Sequence, residues 1–187
     1  MVGKTVVVVT GGHGAGKSHF CMRVVRAAQR RGLSVGGLIT HKLEVDDAEI
    51  RFVEDVSRRV YRLLYRCRPD VGPLGRTPLP ETIGWAEGVL EREAECDLLV
   101  LDELGPHELV GSDGWGGALA LLERRAERPT LVVVGDGLVG RFHAALPRRE
   151  TSVIALSEET RDESLAAMLA WLSGHPTNGG RRPAAVR

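Results

Sequence analysis

Long apolar runs are missing from this sequence of 187 residues. Its N-terminal run, Val6-Val7-Val8-Val9, is four residues long, short of the ~7–15 of a signal-peptide core and far short of the ~20 of a membrane span. The expectation is a chain with no membrane contact that stays in the cytoplasm. Cysteine is scarce as well. Cys21, Cys67 and Cys96 are odd in number and form no C-x-x-C pair, which excludes a disulfide framework and a cysteine zinc site and fits a reducing compartment. The histidines, His41 and His143 among them, lack partners at metal-ligand spacing. Excess charge of either sign is absent: Lys+Arg 25 balances Asp+Glu 25, so no global field steers the chain toward nucleic acid or an anionic surface. No N-K-x-D or T-K-x-D motif for reading guanine occurs, which weighs against a dedicated GTPase.

What is present is an alternation of short β-branched runs with amphipathic stretches, the pattern of a parallel sheet covered by helices. At 43% hydrophobic the chain can bury one core unaided. Strands are expected at residues 5–10, 34–40, 97–102, 130–135 and 152–156, giving a five-stranded, mostly parallel core sheet. Helices are expected at 17–31, 81–95, around Leu119, Leu122 and Ala126, at 138–145, and from Thr160 onward. Thr160 with Glu163 three residues on reads as a capping box. More than fifty residues separate the second and third core strands, too many for one crossover helix. Within them, residues 49–55 and 59–67 read as a β-hairpin in an inserted region, 40–75, beside the main sheet. One domain over 1–173 and a disordered tail over 174–187, rich in glycine, proline and arginine, complete the organisation.

The strongest local signal is GGHGAGKS, from Gly11 to Ser18, which fits G-x-x-x-x-G-K-[ST] between an apolar strand and an amphipathic helix. Gly11, Gly12, Gly14 and Gly16 allow backbone N–H groups to turn inward around a phosphate, reinforced by the positive end of the following helix. Lys17 supplies a point charge for the β- and γ-phosphates, and the Ser18 hydroxyl is a ligand for Mg2+. His13, Ala15 and His19 complete the nucleotide-binding stretch, the two histidines as incidental side chains.

A nucleotide with Mg2+ needs a second carboxylate, placed at the end of an apolar strand in the same sheet. Leu98-Leu99-Val100-Leu101-Asp102 has that form, with Asp102 holding the metal through water. Glu103 next to it can take a proton from an attacking water, which argues for hydrolysis over simple binding. Leu101, Asp102, Glu103, Leu104 and Gly105 are therefore added to the nucleotide site, with Lys17 and Glu103 as its catalytic pair.

The segment LDELGPHEL, residues 101–109, joined to this phosphate loop in a chain of this size, resembles the small P-loop nucleoside-triphosphatase family, whose corresponding segment reads roughly I-D-E-I-G-P-M-E-L. His107 stands where that family has methionine, and Ser18-His19 where it has Thr-Thr. Of its G-x-R-x-G-F stretch only Arg51-Phe52 is present. The resemblance extends to about Leu146. It implies a three-layer RecA-like α/β fold, with a strand inserted between the phosphate-loop and aspartate strands and helices on both faces. It also implies Mg2+-dependent release of phosphate from ATP, GTP and other nucleoside triphosphates.

Two further features bear on function. Arg58, Arg59, Arg62, Arg66 and Arg68 with Tyr61 and Tyr65 form a basic, aromatic patch that reads as a solvated hairpin face before it reads as a nucleic-acid surface. Arg51 or Arg141 is a candidate for stabilising transition-state charge. The competing functions are a nucleoside or nucleotide kinase, and a nucleotide-binding adaptor similar to the GTP-binding accessory proteins of molybdenum-cofactor assembly.

Overall fold

The computed structural model describes residues 5–67, 77–105, 109, 117–125 and 127–175. The expectations that rest on Arg68, His107, Ala126 and the tail beyond His175 lie outside these residues. Among the described residues seven strands form one sheet: β1 (Val6–Thr10), β2 (Val35–Val45), β3 (Ala48–Asp55), β4 (Val60–Cys67), β5 (Leu98–Leu104), β6 (Thr130–Val134) and β7 (Thr151–Ala155). Their order across the sheet is β4-β3-β2-β5-β6-β1-β7. The five strands from β2 to β7 pair in parallel, so the expected core is present with the expected insertion: β6 lies between the phosphate-loop strand β1 and the aspartate strand β5.

The hairpin is not beside the sheet but part of it. Strand β2 continues to Val45, five residues past the expected end at Thr40, and β3 pairs antiparallel with it from Leu38↔Asp55 to Val45↔Ala48. The run over 41–45 was not legible as strand because His41, Lys42 and Glu44 interrupt the apolar pattern; backbone pairing with β3 carries it instead.

Helices α1 (Lys17–Arg30), α2 (Pro80–Arg92), α3 (Gly117–Arg124), α4 (Val139–Ala145) and α5 (Arg161–Ser173) cover both faces. Phe20, Cys21, Val24 and Val25 of α1 join Met168, Trp171 and Leu172 of α5 over Val7, Val9, Val100 and Val133. On the opposite face Ala86, Val89 and Leu90 of α2, Leu121 and Leu122 of α3 and Phe142 of α4 close over Val8, Leu99, Leu101 and Val132. Strands buried on both sides explain the near-continuous valine runs, since neither face can tolerate polar residues. Each fully buried aliphatic side chain contributes about 1.5–3 kcal/mol. No described helix is long and apolar enough to cross a membrane.

The cap of α5 differs from the expectation. Thr160 makes no side-chain cap to the helix and takes helical dihedrals itself. The reciprocal pair sits one turn earlier: Ser157 Oγ accepts from Thr160 N–H at 3.2 Å, and Thr160 Oγ1 accepts from Ser157 N–H at 3.1 Å. A serine three residues before a threonine satisfies the same geometry as the serine–glutamate form. At the far end the His175 ring lies tilted against Trp171, with ring centroids 4.4 Å apart.

Candidate nucleotide site

The phosphate loop runs from the end of β1 to the start of α1. Gly11, Gly14 and Gly16 take φ values of 144°, 78° and 83°, a region open to glycine at little cost. Gly11 is glycine for a second reason, since a Cβ there would overlap the Leu156 carbonyl. The first turn of α1 holds no acidic residue and no side-chain cap, so its N–H groups face the loop undiminished. Lys17 folds back across the loop, its ammonium donating to the Gly11 and Gly12 carbonyls at 2.7 and 2.9 Å. His13 and His19 are exposed.

The carboxylates sit two strands away, at the end of β5. Leu101 pairs with Val132 and Leu104 with Val134, so β5 takes three steps where β6 takes two. This is a bulge, and Glu103 absorbs it with φ 73°. The extra residue lets Leu99, Leu101 and Leu104 all enter the same core layer despite unequal spacing. Leu101 and Leu104 therefore point into the core, and at those positions only backbone is left for a nucleotide.

Asp102 and Glu103 are consequently in different surroundings. Asp102 is buried; its Oδ2 accepts from the Thr40 N–H at 3.3 Å, while its Oδ1 makes no hydrogen bond to the described residues. Burial pushes its carboxyl up to about 7, opposed by the Ser18 hydroxyl and the Thr40 N–H and assisted by the negative charge of Glu103. The Glu103 side chain is 52% exposed, with its Oε2 3.6 Å from Arg51 Nη1. Arg51 also donates through Nε to Glu49 at 3.0 Å, and Tyr65 donates to the same Glu49 oxygen at 2.9 Å. Burial works against the Glu49 charge, but Arg51, Tyr65 and Lys42 hold its carboxyl down at about 2. Of the two candidate arginines, then, Arg51 stands beside Glu103, whereas Arg141 is exposed on α4.

This donor set fits a hard divalent cation. Among the described residues no group of three or more His, Cys, Asp or Glu could cage a metal alone. A buried carboxylate oxygen without a partner, beside a serine hydroxyl, suits an ion that arrives with phosphate oxygens and water.

One residue at the loop carried no sequence signal. Arg161, the first residue of α5, donates through Nη2 to the Ala15 carbonyl at 3.2 Å. The contact spans 146 positions and exists only because β7 lies beside β1.

A family model described as NTPase matches residues 6–169. The chain belongs to this family. Within the NTPase family, the Nucleoside-triphosphatase THEP1 of Ignicoccus hospitalis is 30% identical over 180 residues, covering 89% of this chain and 96% of that protein. The protein of the same description from Methanopyrus kandleri is 27% identical over 183 residues, covering 89% and 96%. Among solved structures, that of a human cancer-related nucleoside triphosphatase superposes with a TM-score of 0.67 at 19% identity, covering 91% of this chain and 98% of that one. THEP1 from Aquifex aeolicus gives 0.66 at 17% identity, covering 89% and 98%. These two carry the fold: a P-loop NTPase with a mostly parallel sheet between helices. The expectation of a nucleoside-triphosphate phosphatase is met at the level of the NTPase family.

Proposed function

We propose that this chain releases phosphate from ATP, GTP and other nucleoside triphosphates in a Mg2+-dependent reaction in which Glu103 takes the proton of the attacking water. The bulge that turns Glu103 out of β5 beside the buried Asp102 carries this reading. A carboxylate in a sparsely populated backbone conformation at a strand end is strain of the kind found where chemistry needs a group aimed away from the core. Lys17 and the N–H groups of the loop hold the β- and γ-phosphates. Bound with the nucleotide, Mg2+ supplies charge that offsets the phosphate oxygens, and Ser18, with Asp102 through water, would hold it. Water then attacks the γ-phosphorus as its proton passes to Glu103, the bond to the β-phosphate oxygen breaks, and nucleoside diphosphate leaves. Arg51 keeps Glu103 oriented and adds positive charge beside the transferring group.

The catalytic unit extends over residues 1–173, with nucleoside triphosphates as partners and no membrane or nucleic acid. Three buried cysteines outside any disulfide fit a reducing cytoplasm. The test is phosphate release from a panel of nucleoside triphosphates, with and without Mg2+ and with no acceptor present. Release of one phosphate per nucleotide, lost on chelation, supports the reading. A new phosphorylated compound formed only with an added acceptor would turn it toward a kinase, and tight binding without turnover toward an adaptor.

A further inference from the structure

The sheet order places the two ends of a bound nucleotide. Neighbouring strands lie about 4.8 Å apart, so the carboxylates on β5 stand roughly 10 Å to one side of β1, and β7 stands on the other. A triphosphate cradled after β1 with its terminal phosphate toward Asp102 and Glu103 directs its nucleoside toward β7 and the start of α5. The connection between those elements is built against the loop: Leu156 N–H donates to the Thr10 carbonyl at 2.8 Å, and Arg161 reaches the Ala15 carbonyl.

The guanidinium itself lies flat. A Cβ on Gly16 would stand 3.1 Å from Cζ, 3.1 Å from Nη2 and 3.2 Å from Nε of Arg161, and near-equal distances to three atoms of a plane put that point over its face. Nε is buried and makes no hydrogen bond, and Arg161 has no ion pair among the described residues. Its neighbour Asp162 is already held by Arg23 at 2.6 Å. The corner is fixed by the Ser157–Thr160 pair on one side and by Arg23–Asp162 on the other. A planar cation without a carboxylate, braced on the phosphate loop at the nucleoside end, is a stacking surface for an aromatic ring.

We propose that the corner between β7 and α5 is the nucleobase subsite and that Arg161 is the platform on which the base stacks. The proposal rests on the reading of this chain as a nucleoside triphosphatase, and it adds where the base goes and what holds it. Stacking on a guanidinium needs only a π-face, so every base gains from it, purines most.

Calorimetric binding of ADP, GDP, CDP and UDP, against inorganic pyrophosphate, tests it in the wild type, Arg161→Ala and Arg161→Lys. Both variants should bind each nucleoside diphosphate about tenfold more weakly, as expected for a lost base stack, and pyrophosphate within about twofold of wild type. In turnover KM for ATP should rise while kcat holds. Equal losses on pyrophosphate would make Arg161 a strut of the loop and overturn the proposal, as would undiminished nucleotide binding. A wild-type chain that binds pyrophosphate as tightly as ADP overturns it too. Arg161→Lys keeps the charge but not the plane, so the comparison survives if Arg161→Ala does not fold. A wild type that binds ADP yet releases no phosphate from ATP would instead remove the hydrolytic reading and leave the base comparison intact.

Discussion

Among the described residues four other than glycine take a positive φ, and Asp46, Asp47 and Arg59 do so in the two hairpin turns, where reversal of the chain demands it. Glu103 does so inside a strand, a conformation that costs about 1–3 kcal/mol in a side-chain-bearing residue. Glu103→Gly should therefore raise the melting temperature, reflecting about 1 kcal/mol of relieved strain, while phosphate release falls. A variant that loses stability would show that the bulge is not strained. Asp102 has the opposite character, its carboxyl raised by burial above the unfolded value. Such a group binds its proton more tightly when folded, so its contribution favours folding at low pH and declines as pH rises from about 4 through about 7. In metal-free protein Asp102→Asn should accordingly be more stable than wild type at pH 8, with the two converging near pH 4 in thermal melts. With Mg2+ and nucleotide present the order should reverse, because the wild-type charge is then used. The turn over residues 11–16 was legible because its glycines set their own backbone, independent of distant contacts. The bulge was not, since nothing in L-D-E-L marks a change of register.

At the level of elements, the valine-rich strands and α1 were legible because burial on both faces leaves no freedom in composition. Their neighbours depend on distant contacts. Gly36 and Gly37 read simply as strand residues, yet Gly37 takes φ 111° and a Cβ there would overlap the Val100 carbonyl of β5. Arg125, just past α3, gave no signal and is 3% exposed, donating to the carbonyls of Ala94, Cys96 and Pro129. It stitches the end of α2 to the starts of β5 and β6. Hydrogen bonds from a charged donor contribute about 1.5–3 kcal/mol each. Arg125→Ala should therefore destabilise the fold by several kcal/mol in denaturant titration while leaving nucleotide affinity of the folded fraction near wild type. An unchanged midpoint would mean that water replaces the guanidinium. The corner that carries Arg161 was hidden for the same reason: its meaning comes from β7 lying beside β1, and their paired residues, such as Val6 and Thr151, are 145 positions apart in the sequence.

At the scale of the whole molecule, one sheet sorts the work. The glycine-rich loop lies at the end of β1, the carboxylates two strands to one side, and the Arg161 corner one strand to the other. No described residue sits in a guanine-reading motif, so ATP and GTP should be turned over with specificity constants within about tenfold, or ~1.4 kcal/mol. A thousandfold preference would require a reader that this layout lacks. In the proposed reaction a proton moves from water to Glu103, apart from the contacts that Lys17 and Ser18 make with phosphate and metal. Single-turnover phosphate release from ATP with Mg2+ tests that most directly, measured alongside equilibrium nucleotide affinity for the wild type, Lys17→Ala and Glu103→Gln. Lys17→Ala should lose turnover with its fold intact. Glu103→Gln should keep near-normal affinity while its chemical step slows by ~10²–10⁴-fold. Hydrolysis by Glu103→Gln at the wild-type rate would mean that Glu103 does not take the proton.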